Sequence, residues 1–167
     1  MIHTLSEFEN IWGPEVEATQ KVFKHLTTKS LSQAVASEHR TLGRLAWHIV
    51  ISIPEMVQRM DLTIQGPDPE APVPETAKDI FGAYNEAALS LLDRIKKEWT
   101  DATLQVEDDM YGQRWKRDFT LQALVFHQIH HRAQMTVLMR QAGLVVPGIY
   151  GPSRDEWAAF GQQPPAV

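Results

Sequence analysis

The feature that most constrains the fold of this chain is a stretch near its C-terminus, residues 121–143, with apolar side chains at helical spacing. Thr120 can cap its start, Arg140 falls in its last turn, and Gly143 can end it in the left-handed conformation. On a helical wheel of about 100° per residue, its apolar residues fall on one broad face. The pattern predicts a long amphipathic helix.

Three of the seven histidines lie on this predicted helix, and two of them point in a similar direction. His131 lies within the apolar face, and His127 lies one turn earlier at its edge, whereas His130 points away. This spacing lets two imidazoles bind one metal ion, as on the HExxH helix of zinc peptidases, although Gln128 stands where that motif has glutamate. The alternative is a chance spacing in a histidine-rich helix.

Three earlier segments also repeat apolar residues at helical spacing. Pro14 should break any helix begun before it, so the first helix is predicted over residues 14–26. Thr41 caps the second, residues 42–60, whose internal proline should introduce a kink, and Thr76 starts the third.

Two connections in this pattern are not helical. Residues 61–75 contain four prolines and predict a loop long enough to cover a site or a partner surface. Residues 103–106 and 114–119 could pair as a short hairpin around Tyr111-Gly112.

Four amphipathic helices with one long crossover predict an all-α four-helix bundle, a fold that places metal and ligand sites between facing helices. We expect a single domain over residues 1–167, with its core at about 14–143. The tail, residues 144–167, has no assigned role and could form a short helix over residues 153–160.

His48 lies at the edge of the apolar stripe on the second helix, as His127 does on the last. With His131 they form a candidate metal site, because neutral imidazoles suit Zn, Ni, Fe or Cu. Three protein ligands leave a position for water or substrate, as in catalytic zinc sites. For His48 alone, a buried imidazole satisfied by a carbonyl or carboxylate is the stronger interpretation. No general base can be assigned, since Glu55 is more simply the partner of Arg59 four residues on.

Composition and charge exclude several classes of function. The net charge of −5 argues against a general nucleic-acid binder, because a phosphate backbone demands a basic patch. No apolar run could span a bilayer and no signal peptide is visible, so we expect a cytoplasmic protein without membrane contact. The chain has no cysteine, which excludes thiolate ligands and a cysteine nucleophile. The absence of a phosphate-cradling glycine loop argues against a nucleotide substrate.

Two motifs and their order resemble the DinB (DinB/YfiT-like) family of metal-dependent enzymes. They are TLGRLAWHIV at residues 41–50 and HQIHHRAQMTVLMRQAG at residues 127–143, followed by Val146-Pro147. The matching positions are His48, His127, His131, Arg132 and Gln134. The family commonly has glycine where this chain has Ala133, a small residue too, so we expect little consequence.

The resemblance implies a bundle with up-down-down-up connections and three histidines that bind a divalent metal, most commonly Zn or Ni, with Fe or Mn as further options. It also implies a homodimer and a small-molecule substrate, with a low-molecular-weight thiol as co-substrate in some relatives. We therefore expect a thiol S-transferase or a hydrolase. The alternatives are a non-catalytic stress protein that binds a metal or ligand, and a helical interaction module.

The expectation of a dimer rests on apolar side chains that lie outside the inward faces of the helices, because exposed apolar patches commonly contact a partner. These side chains are Trp47, Ile51, Phe126, Ile129 and Val137. The alternative is that the tail or the hairpin covers them within one chain.

Overall fold

The computed structural model describes residues 2–166 and is mostly helical, with one small two-stranded antiparallel sheet. The elements are α1 Leu5–Lys24, α2 Leu42–Gln58, α3 Ala77–Glu98, β1 Glu107–Met110, β2 Gln113–Lys116 and α4 Arg117–Gln141. Short 3₁₀ helices lie at Thr28–Ser32, Asp101–Gln105 and Arg154–Phe160. Within residues 2–166, no helix is both long and apolar enough to cross a membrane.

The four long helices share one hydrophobic core. Helices α1 and α2 each pack against both α3 and α4. Because α2 and α4 are direct neighbours, the histidines that the two helices carry can meet between them.

The first helix is longer than predicted, because Pro14 lies inside α1 instead of starting it. The helix begins after Thr4, whose hydroxyl accepts from the Glu7 backbone N–H at 3.1 Å, while the Glu7 carboxylate accepts from the Thr4 N–H at 3.2 Å. Proline removes one backbone donor from the helix. The prediction of a break was wrong because buried side chains on both sides of the proline, Trp12 before it and Phe23 after it, stabilise the helix.

Helices α2 and α3 begin as predicted, with the hydroxyls of Thr41 and Thr76 each accepting a hydrogen bond from a backbone N–H three residues on. The outward direction predicted for Trp47 and Ile51 was wrong, since both are buried. The loop between α2 and α3 covers the tryptophan, whose Nε1–H donates to the Ala71 carbonyl at 2.8 Å.

The hairpin turns at Tyr111-Gly112 as predicted, and both residues have positive φ, as a type I′ turn requires. Its strands are displaced from the predicted ranges, because residues 103–105 belong to a 3₁₀ helix and α4 already begins at Arg117. The prediction of Thr120 as the helix cap was therefore wrong. Its hydroxyl lies inside α4 and donates to the Lys116 carbonyl at 3.2 Å.

Helix α4 ends near the predicted position, with Gly143 in the left-handed conformation at φ +72°. The buried core extends beyond residues 14–143, since Phe8 and Trp12 lie before it and Val146 lies after it. The tail then returns to the helices through Tyr150, which contacts both α1 and α4.

Candidate metal centre

The three histidines singled out from the sequence lie together between two helices. His48 projects from α2, and His127 and His131 project from α4 one turn apart. The Nε2 atoms of His48 and His127 are 3.0 Å apart. One ligand atom from each of the three rings lies within 4.8 Å of the others, an arrangement that could hold a metal ion.

Burial keeps these imidazoles neutral. Desolvation lowers the pKa of His48 to about 3 and that of His127 to about 4, and it also lowers the pKa of His131. The positive charge of Arg40 lowers the pKa of all three rings further. A neutral imidazole offers the lone pair that a metal ion needs, so the site is chemically ready for a cation near pH 7.

Gln134 fixes the orientation of one ring. The Nδ1–H of His131 donates to the Gln134 Oε1 at 2.8 Å, which leaves the Nε2 of that ring with its lone pair. Metal-binding histidines are commonly oriented by such a second hydrogen bond. The Gln134 amide also contacts His130, at 3.1 Å, and His130 is exposed and lies outside the cluster.

The positions of the nitrogen atoms are compatible with a divalent cation. Two imidazole nitrogens in a tetrahedral zinc site, each about 2.1 Å from the ion, are about 3.4 Å apart, close to the separation of His48 and His127. Among residues 2–166, no carbonyl or carboxylate hydrogen-bonds to either of these two rings, and the buried Nδ1 of His127 has no partner. The interpretation of satisfied core histidines needs such partners.

Glu55 is close to the site, but other groups hold its carboxylate. It accepts from the Arg59 guanidinium at 2.8 Å and from the Tyr111 hydroxyl at 2.6 Å. The pair with Arg59 expected from the sequence is therefore present. Glu55 is consequently a poor candidate for a general base.

Behind the histidines lies a buried polar network that the sequence analysis missed. Arg132, which follows His131, pairs with the Glu15 carboxylate of α1 at 2.7 Å and donates to the Thr19 hydroxyl at 3.0 Å. The Tyr150 hydroxyl accepts from Arg132 at 2.7 Å and donates to Glu15 at 2.7 Å. These contacts hold α4 against α1 directly beside the turn that carries His131.

A second buried contact belongs to the same network. The Gln128 amide accepts from the Tyr84 hydroxyl at 2.9 Å and donates to the Glu15 carbonyl at 3.3 Å. The only available sequence signal was that Gln128 and Arg132, both polar, stand four apart on one helix. Their partner in α1 is more than a hundred residues away, so no local pattern could identify it.

Two clefts reach the histidine cluster. One, of about 540 Å³, includes His48, His127 and the hairpin side chains Tyr111 and Trp115. The other, of about 480 Å³, includes His131. A small molecule can therefore approach the three imidazoles from either cleft.

Comparisons with known proteins agree with this fold. A sequence profile of the DinB family matches residues 1–165. The chain is 47% identical over 167 residues to the uncharacterized protein YrdA of Bacillus subtilis (strain 168), and the match covers 100% of both chains. It also resembles the crystal structure of a DinB-like protein from Bacillus cereus ATCC 10987, with a TM-score of 0.87 and 44% identity over 90% of this chain and 100% of that one.

A more distant structure shares the fold alone. The DinB-like protein YjoA of Bacillus subtilis has a TM-score of 0.61 and 20% identity, with 89% of this chain and 96% of that one covered. The family profile spans nearly the whole sequence, and a relative close to half identical matches from end to end. The chain therefore belongs to the DinB family.

Proposed function

We propose that His48, His127 and His131 bind one divalent cation and that the protein is a metal-dependent enzyme acting on a small molecule. The observation that carries this proposal is the convergence of three neutral imidazoles from facing helices within 4.8 Å. Zn and Ni suit this donor set best, with Fe or Mn as further options. When bound, such a cation lowers the pKa of a water or thiol beside it.

The side chains of this protein have separate tasks in that chemistry. The three imidazoles supply neutral donors, so the site retains a positive charge that favours an anionic substrate group. Gln134 holds the His131 ring in position. The clefts admit the substrate, and a thiol must come from it, because the chain has no cysteine.

Thiol S-transfer is the preferred reaction, and hydrolysis is the other enzymatic option. Two clefts that reach one centre favour transfer, because it brings two organic molecules together, whereas hydrolysis needs one and water. A non-catalytic protein that binds a metal or ligand is the second candidate. It is favoured by the contacts of Glu55, which lines the cleft with His48 and His127 but is held by Arg59 and Tyr111 and is therefore a poor general base.

Elemental analysis of protein purified without a nickel column tests the metal site. We expect about one divalent ion per chain, lost in His48→Ala, His127→Ala and His131→Ala with the helical content retained. The matched control is His130→Ala, which removes an exposed imidazole of the same helix and should keep the metal. Loss of metal in this control with retention in His127→Ala would contradict the proposed ligand set.

Turnover then separates enzyme from binding protein. The metal-loaded protein should transfer a thiol to an electrophile or hydrolyse a small ester or amide, lose that activity with a chelator, and regain it with added metal. Activity of the metal-free protein equal to that of the loaded protein would exclude a catalytic metal. Metal binding without any turnover across thiols and electrophiles would favour the second candidate.

We also propose the up-down-down-up bundle for the four helices. Contacts between the helices support that order. In the contacts of α1 with α4, the residue numbers rise together along both helices, so these two helices are parallel. In the contacts of α1 with α3 and of α2 with α4, the residue numbers run in opposite directions, so the helices of each pair are antiparallel. The contacts between α1 and α4 are Glu15–Gln128 and Thr19–Arg132. Those between α1 and α3 are Trp12–Ala88 and Gln20–Asn85. Between α2 and α4, Leu45 lines one cleft with Leu138, and Met56 lines the other cleft with Ala123.

A further inference from the structure

The cleft beside His131 combines apolar walls with a cation. Leu45 of α2 and Val137 and Leu138 of α4 form part of its lining, and Arg40 lies on the same lining in the segment before α2. The cleft is large enough for an organic molecule of several carbon atoms. A ligand in it would lie beside His131, a member of the histidine cluster.

The Arg40 guanidinium is available for a ligand. Among residues 2–166 it forms no ion pair and no side-chain hydrogen bond, although the chain contains several ion pairs between other residues. Its positive charge nevertheless acts on His48, His127 and His131 alike, lowering the pKa of each after the larger effect of burial. Arg40 therefore lines one cleft with His131 and, in the part of the chain that the structure describes, is not held by a protein partner.

We propose that this cleft binds the carboxylate of an organic acid through Arg40, while the hydrocarbon part of that acid packs on Leu45 and Leu138. The proposal rests on the proposed function, because it names the class of substrate that reaches the metal centre. One guanidinium presents two parallel N–H donors that match a carboxylate. Phosphate recognition uses several donors or a helix N-terminus, and one guanidinium in an apolar cleft suits a single negative charge better.

Glu38 lies on the same cleft and works against an anion. Its carboxylate also lacks an ion pair within the described part of the chain. Replacing it should therefore strengthen carboxylate binding, whereas replacing Arg40 should weaken it. These opposite effects distinguish a local contact from a general change in the cleft.

The test uses Co²⁺-loaded protein, whose visible absorption reports both metal binding and coordination of a thiolate. The probes are 6-mercaptohexanoate and its uncharged analogue 6-mercapto-1-hexanol, whose six-carbon chain keeps the carboxylate from closing a small chelate ring on the metal. The measured quantity is the ratio of their dissociation constants. The wild-type protein should prefer the acid.

Arg40→Gln should reduce this preference about tenfold, the effect of losing one charge-assisted hydrogen bond, and should leave binding of the alcohol nearly unchanged. Arg40→Lys should retain part of the preference, and Glu38→Gln should increase it. The matched control is Arg44→Gln, because Arg44 lies on the other cleft and its charge also lowers the pKa of His48. This control should keep the wild-type ratio.

Three outcomes would overturn the proposal, and they differ in what else they reject. An unchanged ratio in Arg40→Gln would reject the carboxylate site and leave the metal site standing. An equal loss of the preference for the acid in Arg44→Gln would mean that the general positive potential of the surface, and not a local contact with Arg40, causes this preference. Failure of the wild-type protein to bind Co²⁺ would reject the metal site and the carboxylate site together.

Discussion

The buried ion pair beside the histidine cluster allows a sharp stability prediction. Arg132→Met removes the guanidinium and keeps an apolar side chain of similar length. The Glu15 carboxylate then loses its cation, while its side chain remains only 10% exposed. A buried charge without a partner costs far more free energy than an exposed one, because water cannot replace the lost contact.

The expected loss follows from that burial. Breaking a buried pair by removing one partner costs about 3–5 kcal/mol of unfolding free energy. Arg132 also donates to the Thr19 hydroxyl and to the Glu15 carbonyl, so the upper part of this range applies. With a urea m-value of about 2 kcal/mol per M, the unfolding midpoint should fall by about 2 M.

Urea unfolding of metal-free protein, followed by circular dichroism, measures this loss without interference from metal affinity. The matched control is Arg59→Met, which breaks the exposed pair with Glu55 and should cost less than about 1 kcal/mol. The double variant Glu15→Leu/Arg132→Met removes both charges. It should be more stable than Arg132→Met alone, because an apolar pair leaves no buried charge.

Two results would refute this reasoning. A loss below about 1 kcal/mol in Arg132→Met would mean that water reaches the Glu15 carboxylate, so the burial of the network would be wrong. A double variant less stable than Arg132→Met alone would mean that packing, and not the unpaired charge, accounts for the loss.

The remaining predictions concern the same regions. Tyr150→Phe should lower the free energy of unfolding by about 1 kcal/mol, since the hydroxyl bridges Arg132 and Glu15 although the ring is exposed. An unchanged urea midpoint would contradict a stabilising contact of the tail with the helices. Burial lowers the pKa of His48 to about 3 and that of His127 to about 4, below the value of about 6.5 expected when unfolded. The unfolded state therefore takes up protons first. Metal-free protein should keep this stability above about pH 6.5 and lose it progressively down to about pH 3, a slope that His48→Asn should flatten. The dimer also stays a prediction, with the exposed Phe126 as its strongest remaining support; sedimentation should show a dimer at micromolar concentration that Phe126→Asp dissociates, and a wild-type monomer would refute it.

The sequence alone determined the features that depend on a few neighbouring residues. Helix caps at Thr41 and Thr76, the turn at Tyr111-Gly112 and the left-handed Gly143 all follow from side-chain chemistry within one turn of the backbone. The pairing of His127 and His131 follows in the same way from four-residue spacing on one helix. His48 joined the candidate set through its position at the edge of the apolar stripe on the second helix, and the family motifs also include it.

Tertiary structure decided what depends on contacts between distant segments. Burial of Trp12 and Phe23 keeps α1 helical across Pro14, and the loop after α2 covers Trp47, whose Nε1–H donates to the Ala71 carbonyl of that loop. Local rules failed at these positions because the free energy of burying a large side chain exceeds the propensity of a single residue.

The polar network beside the histidine cluster shows the same limit most clearly. Helical spacing puts Gln128 and Arg132 on one face. It does not predict that Glu15 lies opposite them or that Tyr150 of the tail contacts both charged groups. A charge can be buried only where a partner of opposite sign meets it, and that partner is chosen by the packing of α1 against α4. The type and spacing of the candidate ligands are thus local properties of the sequence, whereas the support that holds them in place exists only in the folded chain.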